Sequence, residues 1–145
     1  MSKPENCPLC QLAPTDVLWS DAYCLVIPAQ IPVIGDFCRV VWRTHVCELT
    51  DLAYSDRHRL FDVVMGVEGV LRDLLRPVKM NVASLGNLVP HLHWHIIPRF
   101  QDDPFFPDSV WSTARRSPSM RQPLSRDVLG AALEERLSGF AKTPL

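Results

Sequence analysis

Three histidines occupy alternate positions in the segment His91-Leu92-His93-Trp94-His95-Ile96-Ile97. Successive side chains of a β-strand point to opposite faces of its sheet, so a strand here would place the three imidazoles on one face and the apolar side chains on the other. Packing does not require such a strict alternation of imidazole and apolar groups. The segment therefore predicts a half-buried strand whose polar face is a reactive site.

The spacing of these histidines suits nucleophilic catalysis at phosphorus. A neutral imidazole has one nitrogen with a lone pair, which attacks electrophiles, and a second nitrogen that carries a proton. Histidine forms covalent intermediates in catalysis, and a bond between phosphorus and imidazole is readily hydrolysed. His93 has a histidine on each side to orient it and to transfer protons. We therefore expect His93 to be the nucleophile, with His91 and His95 as further catalytic residues.

Length and composition exclude several other classes of protein. A chain of 145 residues fits one domain, and its net charge of -1 provides no overall attraction for nucleic acid or for anionic membranes. No run approaches the about 18 apolar residues of a membrane span, and the N-terminus lacks the apolar core of a signal peptide. Five cysteines, an odd number, favour free thiols in a reducing compartment. We expect a cytoplasmic protein whose partner is neither nucleic acid nor membrane.

The hydrophobic pattern predicts an α+β fold with an antiparallel sheet. Apolar residues at spacings of three and four predict a helix from about Ser55 to Leu75, and a weaker pattern predicts a second helix from Ser125 to Leu137. Pro28 and Pro98 are expected to end strands, because proline cannot donate a hydrogen bond to a neighbouring strand. Hairpin-like pairs of strands favour antiparallel pairing. The five predicted strands cover residues 16–19, 23–27, 37–42, 79–85 and 91–97.

The segment from Asn81 to Arg99 resembles the signature of the histidine triad (HIT) family. The family pattern is His-φ-His-φ-His-φ-φ, where φ is an apolar residue, and His91 to Ile97 match it throughout. The similarity extends from the Cys7-x-x-Cys10 region to about Trp111. The family fold is a five-stranded antiparallel sheet with one long helix, which agrees with the elements predicted above.

The resemblance also implies a domain organisation and an assembly. A HIT domain would cover residues 1–111, and the remaining residues, 112–145, would form a C-terminal tail whose short helix packs on the same domain. Members of the family usually form homodimers in which the two sheets become one, so we expect a homodimer here.

The activity that the resemblance implies is the hydrolysis or transfer of nucleoside monophosphate groups. Typical substrates are dinucleoside polyphosphates, nucleoside phosphoramidates and adenylylated amines, and this chain is most similar to bacterial members of the diadenosine polyphosphate hydrolase type. By position, His93 would take the nucleotidyl group and His95 would contact the phosphate and the leaving atom. His91 would support the strand geometry and the hydrogen-bond chain.

Further binding residues and two departures follow from the same resemblance. Asn81 matches an asparagine that contacts the nucleotide, and Gly86 and Asn87 stand where donors to phosphate oxygens are expected. Many members have a fourth histidine at the start of the third strand, where this chain has Gly35-Asp36-Phe37. Members often have an acidic or amide residue that holds the ribose near the end of the second strand, and no acid occurs at positions 27–30 here.

Cys7 and Cys10 have the spacing of half a zinc site. A lone Cys-x-x-Cys pair is also compatible with a flexible N-terminus that binds no metal. In some bacterial HIT proteins such a pair is joined by two histidines, which correspond to His45 and His91. The resemblance thus implies a structural zinc site of four residues, and a chemistry that requires no cofactor.

Two other functions compete with the covalent mechanism. A His-x-His pair on a strand also binds catalytic zinc when a third ligand is present and one position stays open. Alternatively, the chain is a non-catalytic nucleotide-binding or interaction module that keeps the motif. The segment 101–111 is a candidate specificity element, and Arg99 either reaches a phosphate or lies on the surface.

Overall fold

In the computed structural model, which describes residues 4–31 and 35–140, five strands form one antiparallel sheet. The order of the strands is β1-β2-β3-β5-β4. Two α-helices complete this part of the chain, so the predicted α+β fold is confirmed. The elements are β1 (Trp19–Ser20), β2 (Cys24–Ile31), β3 (Gly35–Trp42), α1 (Tyr54–Leu75), β4 (Lys79–Ala83), β5 (His93–Arg99) and α2 (Arg126–Leu137).

The main hydrophobic core lies between one face of the sheet and α1. Alternation along the strands places Val26, Val40 and Ile96 on this face, and all three are fully buried. The predicted apolar stripe of α1 packs against them. Burial of each such side chain contributes about 1.5–3 kcal/mol to folding. The helix residues of this core include Leu60, Val63, Val64, Val67, Val70 and Leu71.

Helix α2 packs on α1 and adds to the same core. Its Leu129, Leu133 and Leu137 are buried among the residues of α1 and the sheet. Gly66 of α1 makes the close approach possible, since a Cβ atom there would lie 2.3 Å from Cδ2 of Leu137. Neither helix, nor any other in the described residues, combines the length and the apolar character that crossing a membrane requires. The domain boundary at residue 111 stays a prediction.

Two predicted strand ends are wrong, because β2 continues through Pro28 to Ile31 and β5 continues through Pro98 to Arg99. Each proline lies where one neighbouring strand has already ended. Strand β1 pairs only with residues 25 and 26 of β2, and the pairing of β5 with β3 ends at Ile96. On the side where the neighbouring strand has ended, no carbonyl of that strand needs the N–H that proline lacks.

The first and fourth predicted strands are also shorter than expected. Pro14–Asp16 form a 3₁₀ turn, in which Val17 N–H donates to the Pro14 carbonyl, so β1 begins only at Trp19. Strand β4 ends at Ala83 rather than at residue 85. Both differences shorten the outer strands of the sheet.

The prediction that His91 belongs to the same strand as His93 is wrong. Strand β5 begins at His93, and the His91 N–H donates to the carbonyl of Val89 at 2.8 Å, within a tight turn. His91 therefore precedes the strand, and its ring contacts Cys10 and His45.

Candidate active site

His93 and His95 project from β5 on the sheet face opposite α1. Their rings meet edge to face, with centroids 5.0 Å apart. Across the sheet, Val41 of β3 lies opposite His93, and Arg39 of β3 lies opposite His95. Both imidazoles are largely buried. Of the three histidines predicted to share one face of the strand, His93 and His95 do so, whereas His91 lies outside the strand. The cation Arg39 stands beside them.

Two chain segments flank this histidine face. The N-terminal segment packs Cys7 and Leu9 against Ile27 and Val41 of the sheet. On the other side lies the stretch from 100 to 111, called here the Asp103 loop. Its apolar side chains form a small cluster with sheet residues, composed of Ala29, Phe37, Ile97, Phe105 and Val110.

A backbone hydrogen bond fixes the orientation and the protonation of His93. Nδ1 of His93 lies 2.6 Å from the carbonyl oxygen of His91, and a carbonyl only accepts, so Nδ1 carries the proton. The lone pair is therefore on Nε2. Burial lowers the pKa of His93 below 6.5, the bond to His91 opposes this, and the charge of Arg39 adds to the lowering. His93 is thus a neutral imidazole with a nucleophilic Nε2 at pH 7.

His95 is neutral for similar reasons. Burial first, and then the charges of His93 and Arg39, lower the pKa of His95 from 6.5 to about 4. Its Nδ1 is buried without a hydrogen-bond partner in the described part of the chain. The tautomer with its proton on Nε2 leaves only a lone pair unsatisfied there, so His95 can present an N–H donor to a bound ligand.

Three further side chains lie near His95: Trp111 belongs to the predicted specificity element 101–111, whereas Phe37 and Arg39 were not predicted as site residues. The Phe37 ring lies 6.2 Å from the His95 ring, and the half-exposed Trp111 indole lies 5.3 Å from it. Arg39 is the third. Arg39 had a signal in the sequence, since it is a charged residue within an apolar strand (Phe37-Cys38-Arg39-Val40-Val41-Trp42). Nothing local in the sequence indicates that Trp111 reaches His95.

A buried ion pair anchors the Asp103 loop. Nε of Arg99 donates to Asp103 at 2.8 Å, and a second nitrogen of the same guanidinium donates to the other carboxylate oxygen at 3.0 Å. The third nitrogen donates to Oδ1 of Asn81 at 2.7 Å. Arg99 is 1% exposed, so the expectation that it reaches a phosphate or lies on the surface is wrong. The network instead holds the loop that carries Trp111.

Gly86 and Asn87 have no hydrogen bond to this network among the described residues. Both lie in the connection between β4 and β5, where Gly86 has a φ of 73°, and Asn87 is exposed. No hydrogen bond among the described residues joins either of them to His93 or His95. In the same connection, Ser84 Oγ–H donates to the carbonyl of His93 at 2.9 Å and holds the start of β5.

Cys7, Cys10, His45 and His91 converge beside the active face. Their four ligand atoms all lie within 4.8 Å of one another. Nδ1 of His91 is 3.3 Å from Cys7 Sγ, 3.5 Å from Cys10 Sγ and 3.3 Å from Nδ1 of His45. The four residues thus form a candidate metal centre, although Cys7 and His91 are 84 positions apart in the sequence.

Four of the six separations between these atoms are 3.3–3.5 Å, which suits a tetrahedral zinc ion. Zn–S bonds of about 2.3 Å and Zn–N bonds of about 2.0–2.1 Å require ligand atoms about 3.3–3.8 Å apart. Nε2–H of His91 donates to the Trp42 carbonyl at 2.6 Å, which leaves Nδ1 as the lone-pair nitrogen. The donor set and the orientation of His91 are therefore both those of a closed structural site.

We expect Asp103→Asn to destabilise the fold, because it leaves the buried Arg99 guanidinium without its counter-charge. The free energy of unfolding at pH 7 should fall by about 3–5 kcal/mol, measured by urea denaturation. Burial raises the pKa of Asp103, but the bonds from Arg99 and from backbone amides outweigh it and bring the pKa below 3.8.

The pair therefore stabilises the fold fully above about pH 4, and the stabilisation is lost as the pH falls through the folded-state pKa. Asp103→Asn should reduce this acid dependence. Asp73→Asn removes the partner of an exposed ion pair with Arg136 and is the matched control, with an expected cost of at most about 1 kcal/mol. Equal effects of the two substitutions would contradict the role assigned to Asp103.

Comparisons with known proteins agree with the geometry of the sheet and of the histidines. The chain is 25% identical over 118 residues to Protein hit of Bacillus subtilis (strain 168), covering 75% of this chain and 81% of that protein. A histidine triad protein of Bradyrhizobium japonicum superposes with a TM-score of 0.66 at 26% identity, over 83% of this chain and 88% of the other.

Two further solved structures share the fold. A histidine triad protein of Marinobacter aquaeolei VT8 has a TM-score of 0.66 and 28% identity, over 86% and 91% of the two chains. A zinc-bound histidine triad family protein of Mycobacterium smegmatis has a TM-score of 0.61 and 22% identity, over 94% and 96%. The HIT domain model matches residues 11–102, which is more than half of the sequence. The chain belongs to the HIT domain family.

Proposed function

We propose that this protein hydrolyses or transfers nucleoside monophosphate groups through a covalent nucleotidyl intermediate on His93. HIT domain proteins are in general nucleotide hydrolases or transferases, although some are non-catalytic. The observation that carries the proposal is the 2.6 Å hydrogen bond from Nδ1–H of His93 to the His91 carbonyl, which leaves the Nε2 lone pair free to react. Dinucleoside polyphosphates, nucleoside phosphoramidates and adenylylated amines are the substrate classes proposed.

The reaction has two steps at one phosphorus atom. Nε2 of His93 attacks the α-phosphorus, a P–N bond forms, and the bond to the leaving group breaks with its electron pair going to the leaving atom. Water then attacks the same phosphorus and releases one proton to solvent, the P–N bond breaks, and its electron pair returns to Nε2 as the nucleoside monophosphate departs. The His91 carbonyl stabilises the positive charge that the ring bears in between.

His95 and the surrounding side chains bind and orient the substrate. The neutral His95 donates a hydrogen bond to the phosphate or to the leaving atom from Nε2. Asn81, fixed through its Oδ1 by Arg99, keeps its amide N–H groups for the nucleotide. Gly86 and Asn87 supply further donors to phosphate oxygens once a substrate is bound. The exposed ring of Trp111, held by the Asp103 loop, closes the site beside His95.

Replacement of His93 by alanine should abolish release of AMP from both adenosine phosphoramidate and a diadenosine polyphosphate. The variant loses the attacking nitrogen, whereas nucleotide binding and the melting temperature should change little. His58→Ala, on the exposed surface of α1, is the control and should keep the wild-type rate. Undiminished AMP release by His93→Ala would rule out the covalent mechanism.

A specific observation favours a second candidate, a nucleotide-binding module without turnover. Phe37 stands beside His95 where many family members have a fourth histidine. A phenyl ring neither donates nor accepts a proton. Binding of AMP by the wild-type protein, with no product from either substrate, would favour this alternative.

We also propose that Cys7, Cys10, His45 and His91 bind a structural zinc ion. The ligand distances and the hydrogen bond from His91 to Trp42 support zinc, and a relative from Mycobacterium smegmatis is zinc-bound. Such an ion ties the N-terminal segment to the sheet and, with all four ligands from protein, leaves no open position for a substrate. The chemistry at His93 therefore requires no cofactor. Reduced thiols as ligands also fit the expected cytoplasmic location.

Purified protein should contain about one zinc ion per chain by elemental mass spectrometry. The double variant Cys7→Ser and Cys10→Ser should lose the metal and melt at a lower temperature, because the N-terminal segment loses its attachment. Cys47→Ser changes an exposed thiol outside the cluster. This variant should keep the zinc content and the melting temperature of the wild type. Zinc-free wild-type protein with an unaltered melting temperature would contradict the proposal.

The outer edge of β4 supports the proposal of a homodimer. Strand β4 is the last in the sheet order, so its outer backbone groups have no strand partner in the described residues. Val78 and Leu85, which flank β4 in the chain, are 54% and 50% exposed. Light scattering after gel filtration should give twice the mass of one chain. A monomer at micromolar concentration would contradict this assembly.

A further inference from the structure

We propose that Arg39 binds the phosphate of the leaving group and makes the site selective for nucleotides whose leaving group is an anionic phosphate. Nucleotides with an amine as leaving group would gain nothing from this side chain. The proposal rests on the nucleotidyl-transfer function proposed above and assigns a substrate class to the same site.

Arg39 stands in the site as a cation with no counter-charge among residues 4–31 and 35–140. It lies directly opposite His95 in the β3–β5 register, so the two side chains leave the sheet on the same face about 5 Å apart at their Cβ atoms. Its Nε is buried and has no hydrogen-bond partner, and Arg39 takes part in no ion pair of the described residues. The acid nearest in β3, Asp36, belongs to the opposite face, where it accepts a hydrogen bond from the Leu124 N–H.

The physical chemistry of this position favours an anionic ligand. A guanidinium remains charged in proteins, and a half-buried charge without a partner costs free energy. The neighbouring rings of His93 and His95 bring no negative charge, so they do not offset the charge of Arg39. A phosphate would satisfy the planar fork of donors with two parallel hydrogen bonds. A bound phosphate therefore provides what the protein itself does not supply.

The register places this cation over the leaving group rather than over the phosphorus that is attacked. Val41 stands opposite His93 in the register of β3 against β5, and Arg39 stands opposite His95. An in-line displacement puts the leaving group on the far side of the phosphorus from Nε2 of His93. Arg39 and His95 would thus contact the leaving phosphate together.

The charge balance of the reaction explains the selectivity. With a dinucleoside polyphosphate, the P–O bond breaks, its electron pair goes to the bridging oxygen, and the departing phosphate gains one negative charge that Arg39 stabilises. No proton needs to be supplied. With a phosphoramidate, the P–N bond breaks, and the departing nitrogen must take up a proton instead of keeping a negative charge. A nearby cation gives that step no stabilisation.

The test compares kcat/KM for diadenosine tetraphosphate and for adenosine phosphoramidate in wild type, Arg39→Gln and Arg39→Lys. Loss of a charge-assisted hydrogen bond predicts that Arg39→Gln cleaves the tetraphosphate about 10- to 100-fold more slowly. Cleavage of the phosphoramidate should stay within about threefold of wild type. Arg39→Lys keeps the charge but not the fork, and should give an intermediate loss with the tetraphosphate alone. Arg72→Leu removes an exposed charge of α1 and should change neither rate.

The outcomes separate this proposal from the one on which it rests. If wild-type protein cleaves neither substrate, the proposed function fails and the role of Arg39 in it fails as well. If wild type cleaves both substrates, two results overturn only the role of Arg39. Either Arg39→Gln lowers kcat/KM equally for the two substrates, or it lowers kcat/KM for neither. If Arg39→Gln does not fold, judged by its melting curve, Arg39→Lys decides between the same outcomes.

Discussion

The position of His91 is the constraint on which the rest of the site depends. Its ring donates from Nε2 to the Trp42 carbonyl, its Nδ1 faces Cys7, Cys10 and His45, and its own carbonyl accepts the Nδ1 proton of His93. One residue therefore joins the end of β3, the N-terminal segment and the nucleophile. The ring bonds and the carbonyl bond of His91 together fix this residue between the N-terminal segment and the nucleophile.

The site combines neutral nucleophilic groups with one uncompensated charge. Burial keeps His93 and His95 neutral, so a lone pair is available at pH 7, while Arg39 beside them supplies the positive field that a phosphate requires. The ion pair of Arg99 with Asp103 stands outside this arrangement and fixes the loop that carries Trp111. We thus assign the binding of charge to Arg39 and the attack on phosphorus to His93, which its hydrogen bond to the His91 carbonyl orients before any substrate arrives.

Local periodicity explains which parts of this structure could be predicted from the sequence. The alternation of imidazoles with apolar residues predicted that His93 and His95 share a face, and spacings of three and four predicted α1. The path of the chain at His91 could not be predicted, because it depends on a turn at Val89 and on contacts with residues 46 and 84 positions away. The proximity of Arg39 and Trp111 to His95 likewise depends on strand register and loop packing, which no local pattern encodes.

The central claim is that the nucleotide is transferred to Nε2 of His93, and trapping the intermediate tests it most directly. Protein mixed with a diadenosine polyphosphate is quenched within one turnover in alkaline denaturant and digested, and its peptides are analysed by mass spectrometry. The account predicts one nucleotidyl group on the peptide that contains His93, and none in His93→Ala. AMP release within that first turnover with no modified peptide, or with the nucleotidyl group on another residue, would contradict it.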